Sequence, residues 1–356
     1  MAARNYYFSC RFVPLKLRLH HTTIKRYYTM LTIDLNENKQ LVIAQTPTVA
    51  AARGQVLIKV NAAGVNRADL LQRQGKYPPP PGDSKILGLE VCGEVVALGE
   101  GVASQWLGQH VMALCAGGGY GEFVAVDIRH CMVKPATFSN AQGAAFCEVF
   151  LTAFDAIAQY PEFGAEHTVL VHAGASGVGT AAISLAKYLQ AQVVVTVGSD
   201  EKKQFCLAQG ADKAINYRQH NWREVMKAEG FSADLIIDPV AGGYLNDDLS
   251  VLNMDGRIVV LALLGGRYSE QFDGAKLLQK RAQLIGSTLR NRTPDYKAKL
   301  VDNLKRTFGD ALNSGHIAPV IDSIFPWEEA MSAHQVLQDN ANLGKVVLTH
   351  ESLGER

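Results

Sequence analysis

One stretch, VLVHAGASGVGTAAISLAK from Val169 to Lys187, restricts the folds open to this chain more than any other. It begins with an apolar run, Val169–Ala173, of the length of a single buried strand. A turn containing Gly174, Gly177 and Gly179 follows. Apolar residues at Val178, Ala181, Ala182, Leu185 and Leu189 then recur at helical spacing. Strand, glycine turn and helix in that order form the entry unit of a dinucleotide-binding fold. Without Cβ atoms the turn can tighten, the backbone can approach a pyrophosphate, and the helix can sit close on the strand. The helix start offers that phosphate unpaired N–H groups and a positive dipole end. Gly174, Ala175, Ser176, Gly177, Val178 and Gly179 are therefore the expected cofactor-binding turn.

The chain around this unit is regular. Strands are expected at Val169–Ala173, Val193–Val197, Lys213–Tyr217, Asp234–Asp238, Arg257–Leu264 and Leu284–Leu289. Helical patterns at Gly177–Gln190, Glu201–Gln209, Asn221–Glu229 and Tyr244–Asn253 separate most of them. Alternation of this kind needs crossover connections, hence a parallel sheet covered on both faces. Six strands so arranged fit an α/β, doubly wound Rossmann domain. Upstream, from Leu31, short strands with Gly-rich joints (Glu90–Val96, His110–Leu114, Glu122–Val126) suggest a partly closed β-barrel. Pro78–Pro81 form a rigid extended loop that cannot lie inside a sheet. The change to helical period near 141–158 marks the crossing between domains. A basic helical segment from about Pro294 and a closing strand, Lys345–Thr349, return to the first domain. The expected division is 30–149 with 293–356 for the first domain and 150–292 for the nucleotide domain.

With 35 Lys and Arg against 34 Asp and Glu, the chain lacks the basic surplus of a nucleic-acid binder. No apolar run approaches a membrane span. The cysteines, Cys10, Cys92, Cys115, Cys131, Cys147 and Cys206, are scattered without a C-x-x-C pair. This argues against a disulfide framework and a cysteine zinc site, and fits a reducing compartment. Residues 1–29 carry Arg4, Arg11, Lys16, Arg18, Lys25 and Arg26 and no acid. Such a leader reads as a mitochondrial presequence for matrix import. The alternative is that Met30 is the working start and the protein is cytoplasmic.

The second Rossmann strand ends at Val197, where an NAD-preferring site usually places an acid for the ribose hydroxyls. Here the text is Gly198-Ser199-Asp200-Glu201-Lys202. Gly198 leaves room for a 2′-phosphate, Ser199 can donate a hydrogen bond, and Lys202 supplies charge. Tyr217 is placed to cover the phosphate or the adenine. The expected cofactor is NADPH. In the rival reading Asp200 is the ribose acid and the cofactor is NADH, but Asp200 falls in what should be an opening helical turn.

Several blocks match a known family: GVNRADLLQRQGKYPPPPG (Gly64–Gly82), ILGLEVCGEV (Ile86–Val95), the HAGASGVGTAAISLAK turn, GSDEK (Gly198–Lys202), INY (Ile215–Tyr217) and NLGKVVL (Asn342–Leu348). On these the chain resembles the zinc-free, zeta-crystallin-like quinone oxidoreductases of the medium-chain dehydrogenase/reductase superfamily. The resemblance implies a GroES-like β-barrel domain beside the Rossmann domain, NADPH as cofactor, and a homodimer formed through edge strands of the nucleotide domains. Zinc-dependent relatives have a Cys and a Gly-His-Glu where this chain has Asn66 and Gly88-Leu89-Glu90. Neither Asn66 nor Leu89 offers a zinc ligand, so no metal is expected.

Without a metal the reaction must need little electrophilic help. Hydride transfer from NADPH to a quinone or a conjugated enone meets that condition. The resemblance places Tyr77 and Ser176 near the acceptor and nicotinamide, and Asn66, at the vacated metal position, is a second donor. Tyr77 could equally be a packing tyrosine, and Ser176 could serve only its own turn. Leu264, Leu289 and Asn342 carry over as cofactor contacts. Glu148 and Thr152 match a Glu-x-x-x-Thr of relatives, where a helix cap or a domain joint explains them as well. Two rival functions stand: a mitochondrial 2-enoyl-thioester reductase, and a nucleotide-binding structural protein with little turnover.

Overall fold

The computed structural model describes residues 29–350 other than Gln271. The leader expected at 1–29 therefore lies, apart from Thr29, outside the described residues, and Cys10 with it. Thr29–Leu35 is already part of the fold, pairing with Leu41–Pro47 and burying Met30 and Ile33.

The nucleotide half is a six-stranded, wholly parallel sheet. Its spatial order is Lys213–Asn216, Gln192–Val197, Thr168–Val171, Ala233–Asp238, Leu252–Val260, Gln283–Gly286. Numbered along the chain this is 3-2-1-4-5-6, the doubly wound order. Alternation within strands explains why both faces must be covered. Val169, Val171, Val193 and Val195 face a core shared with the helices Cys147–Ala158, Gly177–Tyr188 and Pro294–Asn313. Leu170, Val194 and Ile236 face the opposite core, with Trp222, Met226 and Leu249 of the helices Trp222–Ala228 and Tyr244–Val251.

The other half is a seven-stranded sheet curling into an open barrel. Ile321–Pro326, Lys345–Thr349, Gln55–Val65, Glu90–Leu98, His110–Leu114 and Cys131–Val133 lie in that order, with Phe123–Asp127 also on Gln55–Val65. The long strand Gln55–Val65 is its hub. Its first half pairs with Phe123–Asp127 and its last residues with Lys345–Thr349. Val56, Ile58 and Val60 alternate inward as expected.

Three differences from the sequence reading matter for the site. A helix, Arg67–Arg73, follows directly on Asn66, closed by a capping box between Asn66 and Asp69. The helical region after residue 139 is two helices, Asn140–Ala144 and Cys147–Ala158. The fifth parallel strand starts at Leu252 rather than Arg257 and ends at Val260, leaving Leu263 and Leu264 in an exposed loop. Asp255 holds a left-handed φ of 62°, and Asn253–Gly256 forms an unpaired irregularity between Leu252 and Arg257, which are both paired with the fourth parallel strand.

Candidate active site

The strand Thr168–Val171 feeds a turn whose Ser176 caps the helix Gly177–Tyr188, its hydroxyl oxygen accepting from Gly179 N–H at 3.0 Å. Ser176 is thus an N-cap, and its hydroxyl proton remains available to a ligand. The glycines permit the tight turn and the close helix expected of them. A Cβ on Gly174 would meet Val195, and one on Gly179 would meet the Ala173 and Gly174 carbonyls. A Cβ on Gly177 would stand 2.5 Å from Lys345 Cδ. Gly179 therefore lets the helix start close on the turn, Gly174 lets the turn lie against the neighbouring strand, and Gly177 accommodates Lys345. Val178 is half-buried in the first helical turn, and Ala175 is buried.

The segment Asn342–Lys345 docks on this turn. Gly344 N–H donates to the Ala175 carbonyl at 2.9 Å and bridges Ser176, while Asn342 Nδ2 donates to the Gly344 carbonyl at 2.7 Å. Leu264 lies beyond the end of the fifth strand and is exposed. The Leu289 side chain is turned into the core, so only its backbone is left to meet a cofactor. Asp155 joins the two halves below, accepting from Ser287 Oγ at 2.6 Å and from the Tyr296 hydroxyl.

At the adenosine end, Ser199 caps the helix Asp200–Ala208, accepting from Lys202 N–H at 3.2 Å. Gly198 does not leave an empty space as expected: a Cβ there would lie 2.8 Å from the Tyr217 hydroxyl. Tyr217 fills that room, with 43% of its surface exposed. Lys202 Nζ donates to the Asn340 carbonyl at 2.5 Å and is half-buried, and burial lowers its pKa. Asp200 is turned away, accepting from Asn216 Nδ2 at 3.0 Å and Gln219 Nε2 at 2.6 Å. These bonds hold its carboxyl below the usual range. Arg218, which the sequence reading passed over, is exposed beside Gly198 with no side-chain hydrogen bond or salt bridge among the described residues.

At the end where catalysis is expected, Tyr77 is half-buried under the Arg290 guanidinium, which stands 5.5 Å from its ring centre. Burial raises the phenol pKa and the neighbouring Glu148 raises it further, while Arg290 opposes both. Arg290 is itself 4% exposed, with Nε donating to the Ala116 carbonyl at 2.9 Å. Its Nη1 and Nη2 are buried without a hydrogen-bond partner among the described residues. Such orphaned donors on a charged group are costly and ask for an acceptor. Glu148 is half-buried with no side-chain hydrogen bond among the described residues, and burial together with Glu90 pushes its carboxyl up to about 8. Thr152 lies one helical turn further on, half-buried.

Asn66 is not the free donor expected. Its Nδ2 donates to Glu90 Oε1 at 3.0 Å and its Oδ1 accepts from Lys345 Nζ at 2.6 Å. Lys345 also pairs with Glu90 Oε1 at 2.7 Å, and Glu90 Oε2 accepts from Glu148 N–H at 2.9 Å. The Gly117–Gly119 loop is a bare packed turn, hydrogen-bonded to residues 86–88. Below the glycine turn, His172, Asp238 and Asp248 form, among the described residues, the one three-residue His/Cys/Asp/Glu group close enough to hold a metal. Both ring nitrogens of His172 are already bonded there, to Thr196 Oγ1 and Asp248 Oδ1 at 2.8 Å each.

Residues 52–136 match the profile of the family described as alcohol dehydrogenase GroES-like domain, and residues 177–306 that of zinc-binding dehydrogenase. The chain is 31% identical over 298 residues to a quinone oxidoreductase of Rattus norvegicus, covering 83% of this chain and 88% of that protein. It is 29% identical over 315 residues to the human synaptic vesicle membrane protein VAT-1 homolog, covering 84% and 80%. Among solved structures, the quinone oxidoreductase of Thermus thermophilus, also solved with NADPH, superposes with a TM-score of 0.75 at 29% identity, covering 90% and 99%. A mycobacterial protein complexed with NADPH gives 0.78 at 28% identity over the same shares.

Proposed function

Because this chain belongs to the medium-chain dehydrogenase/reductase superfamily, as an oxidoreductase that binds a nicotinamide nucleotide, we propose that it is an NADPH-dependent, metal-independent reductase of quinones. The observation that carries the reading is Arg290: a buried guanidinium stacked on Tyr77, with both terminal nitrogens unpaired among the described residues. A planar acceptor carrying carbonyl oxygens supplies the partners those donors lack.

Bound NADPH supplies the hydride. Ser176, at the cap of the helix, offers its hydroxyl proton to the cofactor, and the helix start takes the pyrophosphate. Arg218 and Tyr217 stand beside Gly198, and with Lys202 of the following helix they offer a site for a 2′-phosphate. Asp200 is engaged elsewhere, which weighs against a ribose-binding acid and so against NADH. Arg290 then orients the acceptor and stabilises the negative charge that grows on its oxygen, with Tyr77 beside it as hydroxyl donor. A quinone already delocalises that charge, so two fixed donors suffice.

The profile matched by residues 177–306 is named for zinc, but the residues present do not fit that ion. Asn66 and Leu89 provide neither thiolate nor imidazole, and Glu90 is taken by the Lys345 ammonium. These residues offer a zinc ion no set of ligands from which to act.

The edge strand Gln283–Gly286 is largely exposed, Leu284 at 41%, and an uncovered sheet edge of this kind supports a homodimer. Matrix import rests on the basic, acid-free composition of residues 1–29; a reporter fused to that segment and left in the cytosol would exclude it.

The test is NADPH oxidation by the purified protein with an ortho-quinone, with crotonyl-thioester, and with no acceptor. Quinone should be fastest, and Arg290→Met should lower the quinone rate at least tenfold while sparing NADPH binding. Preference for the thioester, or binding without turnover, would replace this reading.

A further inference from the structure

The last strand delivers a lysine to the acceptor end of the cleft, and nothing in the reaction above uses it. Lys345 Nζ stands 2.7 Å from Glu90 Oε1, 2.6 Å from Asn66 Oδ1 and 2.9 Å from the Val65 carbonyl. An ammonium has three protons, and these three acceptors take them all. The side chains of Lys345 and Glu90 are 3% and 0% exposed. Lysine is among the residues least often buried, and a buried ion pair is a weak source of stability, since apolar replacements commonly do as well. Its placement calls for another reason.

Two features of the surroundings supply one. The Asn66 amide is held at both ends, Oδ1 by Lys345 and Nδ2 by Glu90, with a longer bond of 3.4 Å from Nδ2 to the Gly64 carbonyl, so its plane and orientation depend chiefly on this pair. The lysine stem also runs against Gly177, and Gly344, one residue earlier, is hydrogen-bonded to Ala175. One side chain thus touches the strand end that carries Asn66 and the turn that receives the dinucleotide.

We propose that Lys345 is a positioning residue for the acceptor: its ammonium is the resident cation of this end of the cleft, compensating Glu90 and locking the Asn66 amide in register with the dinucleotide turn. The proposal rests on reading the cleft as the site of reduction. The Lys345 charge neutralises Glu90 and orients Asn66 without contact to the acceptor. Asn66 presents a fixed wall to the acceptor, and the quality of that wall depends on Lys345.

The experiment uses the full-length protein and Lys345→Met, which keeps the stem and removes the charge. The single-turnover rate with an ortho-quinone should fall at least tenfold, with the Kd for NADPH within about threefold of wild type. Asn66→Ala should cause a similar fall, and the K345M/N66A pair should be no slower than either alone, because both act through one amide. Lys345→Met with Glu90→Gln should recover at least threefold over K345M, since no buried carboxylate is left without a cation. A wild-type rate in K345M, or losses that multiply in K345M/N66A, would overturn the proposal. If K345M does not fold, N66A decides alone: a wild-type rate there overturns it. If the wild type reduces no quinone, the functional reading fails, and the pair is judged by urea unfolding of K345M, E90Q and the double variant. Additive losses then refute the resident cation, as would stoichiometric zinc retained by wild-type protein after chelation.

Discussion

Arg218→Ala isolates the claim that the adenosine end is built for a 2′-phosphate. In the structure Arg218 lies beside Gly198 and acts on Lys202, whose pKa is lowered chiefly by burial, with Arg218 contributing to the fall. Glu201 and Asp322 also act on Lys202, but the Arg218 guanidinium, exposed and without a side-chain bond among the described residues, leaves a positive group ready for a phosphate. Arg218 is the cleaner target because its side chain has no bond to lose among the described residues, whereas Lys202 also holds the Asn340 carbonyl. A charge-assisted hydrogen bond is worth about 1.5–3 kcal/mol, and solvent exposure at this position reduces that to about 1–1.5 kcal/mol. The KM for NADPH should therefore rise roughly five- to tenfold, with that for NADH unchanged. Raising the salt concentration should narrow the difference between wild type and variant. Steady-state kinetics with both cofactors at two ionic strengths provide the assay. Equal changes for NADPH and NADH, or none for either, would refute the 2′-phosphate assignment.

Gly177→Ala forces a Cβ to within 2.5 Å of the pinned Lys345 stem and 3.1 Å of Val149 Cγ1. It should cost about 1–3 kcal/mol, read as a Tm several degrees lower in a thermal melt. His334 is buried, accepts or donates one bond with the Tyr120 hydroxyl, and is pushed down to about 3 by burial. Its neutral form is favoured by folding, so it contributes stability above the unfolded histidine value that is lost as pH falls from about 6.5. Urea unfolding should show His334→Gln less sensitive than wild type to a change from pH 7 to pH 5. Leu284→Lys on the exposed edge strand should shift the assembly toward monomer in analytical ultracentrifugation; an unchanged mass would remove that strand from the interface.

The parallel sheet was legible because strands buried on both faces are written as continuous apolar runs, and Val193–Val197 is such a run, short and mostly valine. The N-cap role of Ser176 was also within reach, since a serine three residues ahead of a glycine at a helix start needs only local geometry, here the Gly179 N–H. Lys345 was not. A lysine opening the run KVVL looks like an ordinary solvated strand end, and only pairing across some 280 residues brings it to Val65. Arg290 was hidden for the same reason, as its loop reads as polar surface until Tyr77 covers it. Gly198 was seen but assigned the wrong neighbour, because the Tyr217 hydroxyl reaches it from the end of the adjacent strand.

The strand Lys345–Thr349 pairs with Gln55–Val65 and brings Lys345 to Asn66. During synthesis the ribosome therefore finishes the contiguous parallel sheet, strands Thr168–Val171 through Gln283–Gly286, well before the barrel receives its closing strand. Until then the hub strand's far end waits with unpaired backbone, and Glu90 lacks its counter-ion. A nascent chain can hold the nucleotide half early, but the cluster around Asn66 is complete only once the strand Lys345–Thr349 has left the exit tunnel.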